Sequence, residues 1–279
     1  MIQAEEIAGR LEDRVVRVFD CRFDLARPDA GRQAYAAGHI PGAAYADLNR
    51  DLSAPQTPRS GRHPLPAPAA FAERLRAFGV NRDSVVVAYD AGNGMYASRL
   101  WWMLRWLGHD AVFVLDGGLR RWVALGLPVD TLIPERCPGD FSASPRPHMQ
   151  VDAAGVLARL ADPSTPLLDA RAPERYRGEV EPIDAVAGHV PGAVNHPFTT
   201  SIGEDDRLLP ADELRVAFAR RLDGVTADRA IAMCGSGVTA CHLLLAMEHA
   251  GLPGARLYPG SWSEWSRDPS RPVARGASP

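Results

Sequence analysis

The sequence predicts an α/β fold repeated in tandem, each copy a mostly parallel sheet flanked by helices. Three observations lead there. The first is an internal repeat. VFDCR (18–22) and GHIPGA (38–43) are answered by LLDAR (167–171) and GHVPGA (188–193). Further on, VVVAYDAGNGMYASRLWWMLRWLGH (85–109) and LDGGLRRW (115–122) are answered by AIAMCGSGVTACHLLLAMEHAGL (230–252) and YPGSWSEW (258–265). Similarity in a fixed order marks two copies of one unit. The second observation is alternation of short apolar runs with helix-period segments, the pattern of a parallel sheet covered on both faces. The third is PERCPGDFSASPRPHMQ (134–150), a Pro-, Ser- and Gly-rich stretch without periodicity, which reads as an extended linker over the surface of one or both domains.

In order, the first copy has strand runs VVRVF (15–19), VVVAY (85–89) and AVFVL (111–115). Its helices are PAAFAERLRAFGV (68–80) and ASRLWWMLRWLGH (97–109), with apolar residues at helical spacing and a Gly near each end. Trp101, Trp102 and Trp106 fall on the second of these as core. The second copy has strands at 167–169, 230–233 and 255–258 around helices at 211–222 and 238–251. The expected organisation is a first domain over 1–132, a linker over 133–150 and a second domain over 151–279.

The 279 residues, 46% hydrophobic and 23% charged, suffice for two ordinary globular cores. A net charge of −3 offers no global field for nucleic acid, no apolar run approaches a membrane span, and the acidic N-terminus lacks a secretory pattern. No nucleic-acid or membrane partner is expected, and a cytoplasmic location is the default. All 31 basic residues are Arg. The absence of Lys excludes Schiff-base chemistry, lysine-dependent pyridoxal chemistry and Walker-type phosphate loops. The four cysteines, Cys21, Cys137, Cys234 and Cys241, form no CxxC pair, and no HxxxH or HExxH cluster exists. No metal or other cofactor is expected.

Sites in such sheets lie at the carboxyl ends of strands. Cys234 stands there, directly after AIAM, and opens the turn Cys-Gly-Ser-Gly-Val-Thr before a helix near Ala240. Two glycines in four positions let backbone N–H groups turn inward, and the helix N-terminus adds its positive end. Such a cradle favours a thiolate, and equally the terminal sulfur anion of a persulfide. The first copy carries Asp90 at the matching strand end, in a loop one residue longer. A carboxylate cannot carry sulfane sulfur, so that copy should be catalytically silent. Cys241, two helical turns past Cys234, lies beyond disulfide reach and reads as core.

GHIPGA, GHVPGA, the ASRLWWMLRWLGH helix, LDGGLRRW, CGSGVTA (234–240) and GSWSEW (260–265) together resemble a tandem-domain sulfurtransferase of the rhodanese superfamily, over nearly the whole chain. The resemblance implies two rhodanese-like domains. Cys234 in the second takes sulfane sulfur from a donor and passes it to a thiol or cyanide acceptor, and the inert first domain walls the substrate cleft. Thioredoxin, glutathione and small thiols are candidate acceptors; oligomeric state is not legible. The uncharged Gly235 and Ser236 resemble the 3-mercaptopyruvate type, whereas thiosulfate-using relatives often place cationic residues there. The donor site is then expected to comprise Arg175, Gly235, Ser236, Gly237, Val238 and Thr239. Arg175 occupies the family's anion-binding position, while Arg171, matched by Arg22 in the silent copy, reads as structural. The family's second arginine before the GHVPG segment is missing, with Pro182, Ile183 and Asp184 there instead. Arg177 and Arg99 are the candidates to compensate. His39 and His189, present in both copies, read as structural, but the resemblance keeps His39 as a substrate-facing proton relay. Trp262 and Trp265 read as packing beneath the site.

Two rival classes remain. A cysteine phosphatase or arsenate reductase requires C-x5-R, but the sixth residue after Cys234 is Ala240. A non-catalytic rhodanese-like binding module usually lacks the cysteine. Thiosulfate remains the alternative donor.

Overall fold

The computed structural model describes residues 1–160, 162 and 164–278. The chain forms two compact units. The first comprises Met1–Ala54, Leu65–Arg146 and Glu204–Leu208; the second comprises Pro55–Pro64, Pro147–Gly203 and Leu209–Pro279. Membership is therefore not a single cut. Residues 55–64, inside the expected first domain, group with the second unit, and 204–208 group with the first.

The first unit runs α1 (Ala4–Ala8), β1 (Val16–Asp20), α2 (Ala30–Ala37), β2 (Ala44–Tyr45), α3 (Pro68–Ala77), β3 (Val85–Tyr89), α4 (Ala97–Trp106), β4 (Val112–Val114) and α5 (Gly118–Ala124). Its strands form one parallel sheet in the order β2-β1-β3-β4. The second unit runs α6 (Ala153–Arg159), β5 (Leu167–Asp169), α7 (Pro173–Tyr176), β6 (Ala193–Asn195), α8 (Ala211–Leu222), β7 (Ile231–Met233), α9 (Thr239–His249), β8 (Arg256–Leu257) and α10 (Ser261–Trp265). Its sheet has the equivalent order β6-β5-β7-β8, again all parallel. β2 and β6, of two and three residues, are edge strands too short to leave a period in the sequence.

Central strands read as continuous apolar runs because both faces are covered: Val86, Val87, Ala88 and Tyr89 are fully buried, as are Leu167 and Leu168. The repeat extends to single contacts. Trp122 and Trp265 are fully buried and donate their indole N–H to the carbonyls of Pro128 and Pro272. Trp102 and Trp106 stack with centroids 5.9 Å apart inside the first unit. The expected linker is part of the first unit up to Arg146. The N–H groups of Gly139, Phe141, Ser144 and Arg146 donate to carbonyls of Arg76, Val80, Leu107 and Trp106, and Phe141 is buried. Among the described residues no helix is long and apolar enough to cross a membrane.

Candidate active site

β7 ends at Met233 and α9 begins at Thr239, so Cys234 to Val238 form the turn at the strand's carboxyl end. The start of α10 shapes this turn. Trp262 N–H donates to the Cys234 carbonyl and Ser263 N–H to the Gly235 carbonyl, both at 2.9 Å. Cys234 N–H donates to Ser261 Oγ at 3.1 Å. With these carbonyls held by α10, the Gly237 N–H turns back and donates to Cys234 Sγ at 3.1 Å. The turn demands glycine at 237: its φ is +76°, and a Cβ there would lie 2.5 Å from the Pro259 carbonyl oxygen. Ser261 itself adopts φ 52°. Such a conformation costs about 1–3 kcal/mol and persists where surroundings over-determine it. Here the Ser261 hydroxyl accepts from Cys234 and donates to the Tyr258 carbonyl at 2.9 Å. Gly235, Ser236, Gly237 and Val238 are buried and Thr239 is half-buried. Cys234 is 2% exposed, at the N-terminal end of an eleven-residue helix. A sulfur anion there meets the Gly237 N–H and the helix's positive end.

The arginines sort by partner. Arg171 is buried against Asp169, with Nη2 2.7 Å from the carboxylate and 2.8 Å from the Gly188 carbonyl, and lies over the Trp262 ring. Arg22 makes the same bonds to Asp20 and the Gly38 carbonyl in the first unit. This is framework. Arg175, on α7, bonds Glu181 at 2.6 Å and Asp184 at 3.3 Å through Nη2. Its Nη1 would lie 3.6 Å from a Cβ built on Gly235, beside the cysteine turn.

Two site residues escaped sequence reasoning, Arg62 and His63. Arg62 Nη1 donates to Asp184 at 2.7 Å, and its Nη2 would lie 3.3 Å from the same Gly235 Cβ. His63 Nδ1 lies 2.8 Å from Ser236 Oγ, and the ring is 3% exposed. The segment carrying them is fixed on the second unit. Arg62 N–H donates to Ser263 Oγ at 2.9 Å, and Arg267 donates to the carbonyls of Thr57 and Ser60. Gly61 passes so close that a Cβ would lie 2.5 Å from the Gly260 carbonyl oxygen. The available signal was Gly-Arg-His-Pro standing alone in an aperiodic stretch, together with the arginine missing before GHVPG.

Three expectations change. His39 is not a substrate-facing group. It is fully buried, stacks on Tyr35 at 3.9 Å, and holds the Tyr35 carbonyl at 2.8 Å through Nδ1, with Nε2 3.1 Å from the Leu132 carbonyl. His189 repeats the arrangement on Tyr176, so both rings brace their loops. Arg177 does not replace the missing arginine, because it pairs with Glu179 on the surface. Arg99 is fully buried in the first unit. The guanidinium beside Arg175 is Arg62.

The first unit's matching turn is already occupied. The Asp90 carboxylate accepts N–H groups of Gly92, Gly94, Tyr96 and Ala97 at 3.1, 3.0, 2.8 and 3.3 Å. A built-in anion fills this nest, where the second unit has the Cys234 thiol. The other three thiols are placed differently. Burial, aided by Asp20 and Asp90, pushes the Cys21 thiol well up. Cys241 is fully buried and donates to the Gly237 carbonyl at 3.1 Å, and Cys137 is exposed on the 134–146 segment.

The rhodanese-like domain family matches residues 3–125 and 152–268. A probable 3-mercaptopyruvate sulfurtransferase from Pseudomonas aeruginosa is 51% identical, over 99% of this chain and 98% of its own. A putative thiosulfate sulfurtransferase, SseB, from Mycobacterium tuberculosis is 39% identical, over 100% of this chain and 98% of its own. The crystal structure of SseA from Escherichia coli, described as a 3-mercaptopyruvate sulfotransferase, superposes with a TM-score of 0.82 at 36% identity. It covers 95% of this chain and 99% of that one.

Proposed function

This chain is a tandem-domain member of the rhodanese-like family, and from that premise we propose that it is a sulfurtransferase. It moves sulfane sulfur from 3-mercaptopyruvate, through a persulfide on Cys234, to a thiol or cyanide acceptor. The observation that carries this is the Gly237 N–H bond to Cys234 Sγ, in a turn whose neighbouring carbonyls are tied away by α10. The Cys234 thiolate attacks the donor sulfur, and the carbon–sulfur bond breaks. Its electron pair leaves on carbon as the enolate of pyruvate, which takes up a proton. The sulfur stays as the Cys234 persulfide. An acceptor thiolate then attacks the terminal sulfur and returns the Cys234 thiolate.

Ser236, bonded to His63 at 2.8 Å, supplies a hydroxyl–imidazole pair beside the nucleophile to deliver the enolate's proton. Arg175 and Arg62 flank Gly235 and hold the donor carboxylate, a role suited to the planar guanidinium. The uncharged Gly235 and Ser236 after the nucleophile favour a keto acid over thiosulfate. The four cysteines are free thiols, consistent with the reducing cytoplasm, where thioredoxin and small thiols are natural acceptors.

The test compares 3-mercaptopyruvate with thiosulfate on one preparation, with cyanide as acceptor. The higher kcat/KM is expected for 3-mercaptopyruvate. A higher value for thiosulfate would reverse the donor assignment.

A further inference from the structure

The geometry points to Asp184 as a specificity-determining residue: by bridging Arg62 and Arg175 it holds the donor site near charge neutrality, which admits a singly charged donor and disfavours a doubly charged one. The inference rests on the donor reading above and deepens it.

One carboxylate joins both guanidiniums. Asp184 Oδ1 lies 2.7 Å from Arg62 Nη1, and Oδ2 lies 3.3 Å from Arg175 Nη2. Glu181 adds a second negative charge, 2.6 Å from Arg175 and 3.6 Å from Arg171. The Asp184 and Glu181 side chains are 7% and 4% exposed, so water screens these pairs weakly. Around Gly235, two cations therefore meet two anions. The carboxylates occupy Arg62 Nη1 and Arg175 Nη2, while a Cβ built on Gly235 would lie 3.3 Å from Arg62 Nη2, 3.6 Å from Arg175 Nη1 and 3.8 Å from Arg175 Nη2. The site offers directed donors without excess positive charge.

That arrangement discriminates by charge. A donor carboxylate needs one set of directed N–H groups, which Arg62 Nη2 and Arg175 Nη1 supply. Thiosulfate carries two charges, and its second meets no uncompensated cation. Asp184 and Glu181 repel it at short range, a form of selectivity built on the unfavourable partner. Asp184 lies in the stretch Pro182–Ile183–Asp184, where an arginine was expected, and Arg62 enters from residues 55–64 to meet it. Asp184 touches no reacting atom in this account. It acts through the two arginines.

The test is Asp184→Asn, which keeps the shape and removes the charge. We expect the ratio of kcat/KM for thiosulfate to that for 3-mercaptopyruvate to rise about tenfold or more, mainly through the KM for thiosulfate. A ratio unchanged within twofold, with both donors weakened alike, would overturn the proposal and leave Asp184 a purely structural partner. Arg62→Gln is the converse variant and decides the matter if Asp184→Asn does not fold. It leaves net negative charge at the site, so thiosulfate should lose more activity than 3-mercaptopyruvate; equal losses would count against the proposal. The donor assignment is read separately, from the wild-type preference. If wild type prefers thiosulfate and Asp184→Asn still raises the ratio, the donor reading fails and the role of Asp184 stands.

Discussion

His63 Nδ1 and Ser236 Oγ lie 2.8 Å apart, joining a segment near residue 60 to the turn that opens at Cys234. If the pair delivers one proton as a unit, removing either member should cost as much as removing both. Ser236→Ala and His63→Ala should each lower kcat with 3-mercaptopyruvate by about 100-fold, within the usual range for a positioned acid or base. The double variant should fall little further. Multiplying losses would show that the two act independently.

Arg175 and Arg171 separate binding from framework. The buried Arg171–Asp169 pair has side chains 1% and 0% exposed. Arg171→Ala would leave the Asp169 charge uncompensated, a change that typically destabilises by about 3–5 kcal/mol. Its Tm should fall well below that of Arg175→Ala. Arg175→Ala should instead reduce kcat/KM by about 30-fold or more, since truncating one side of a buried charge-assisted pair costs about 2–5 kcal/mol. A normal KM for Arg175→Ala, with lost binding in folded Arg171→Ala, would reverse the two roles.

Asp90 closes the first unit's nest with four accepted N–H bonds. Asp90→Ala should destabilise the protein by about 2 kcal/mol or more, because buried donors lose their acceptor. Asp90→Cys should not create a second sulfur carrier, since the loop there is one residue longer than the Cys234 turn. Two sulfurs per chain after reaction with donor would refute the geometric argument.

The legible part of the site was the part that is local in sequence. Cys234, Gly235 and Gly237 belong to one turn, where glycine spacing reports backbone direction directly. Arg171 was read as framework because Arg22 repeats it, and Arg22 and Arg171 make the same bonds in their two units. Arg62 and His63 could not be read in this way. They lie in an aperiodic segment between β2 and α3, and their partners Asp184 and Ser236 are 122 and 173 residues away. His39 misled for the opposite reason: its motif is strong, but the repeat reflects bonds to its own loop. Grouping 55–64 with the second unit was invisible because a linear boundary cannot describe a chain that returns.

His196 gives a pH signature of folding. Burial, with a smaller contribution from Arg221, lowers its pKa to about 4 from a usual value near 6.5. The unfolded chain therefore binds more protons than the folded one between these values. The stability is fully present above pH 6.5 and falls as pH drops towards 4, by about 3 kcal/mol over the interval. Denaturant titrations across pH 4–7 should show that slope reduced in His196→Asn relative to wild type. An equal slope in both would remove His196 as its source.

In the proposed reaction Cys234 carries the sulfur. The most direct measurement is intact and peptide mass spectrometry after reaction with 3-mercaptopyruvate in the absence of acceptor, on wild type, Cys234→Ser and Cys241→Ser. Wild type and Cys241→Ser should each gain one sulfur, on the peptide holding residue 234, and lose it when cyanide is added. Cys234→Ser should gain none and turn over no donor. Sulfur on the Cys21, Cys137 or Cys241 peptide, or sustained turnover by Cys234→Ser, would contradict the account.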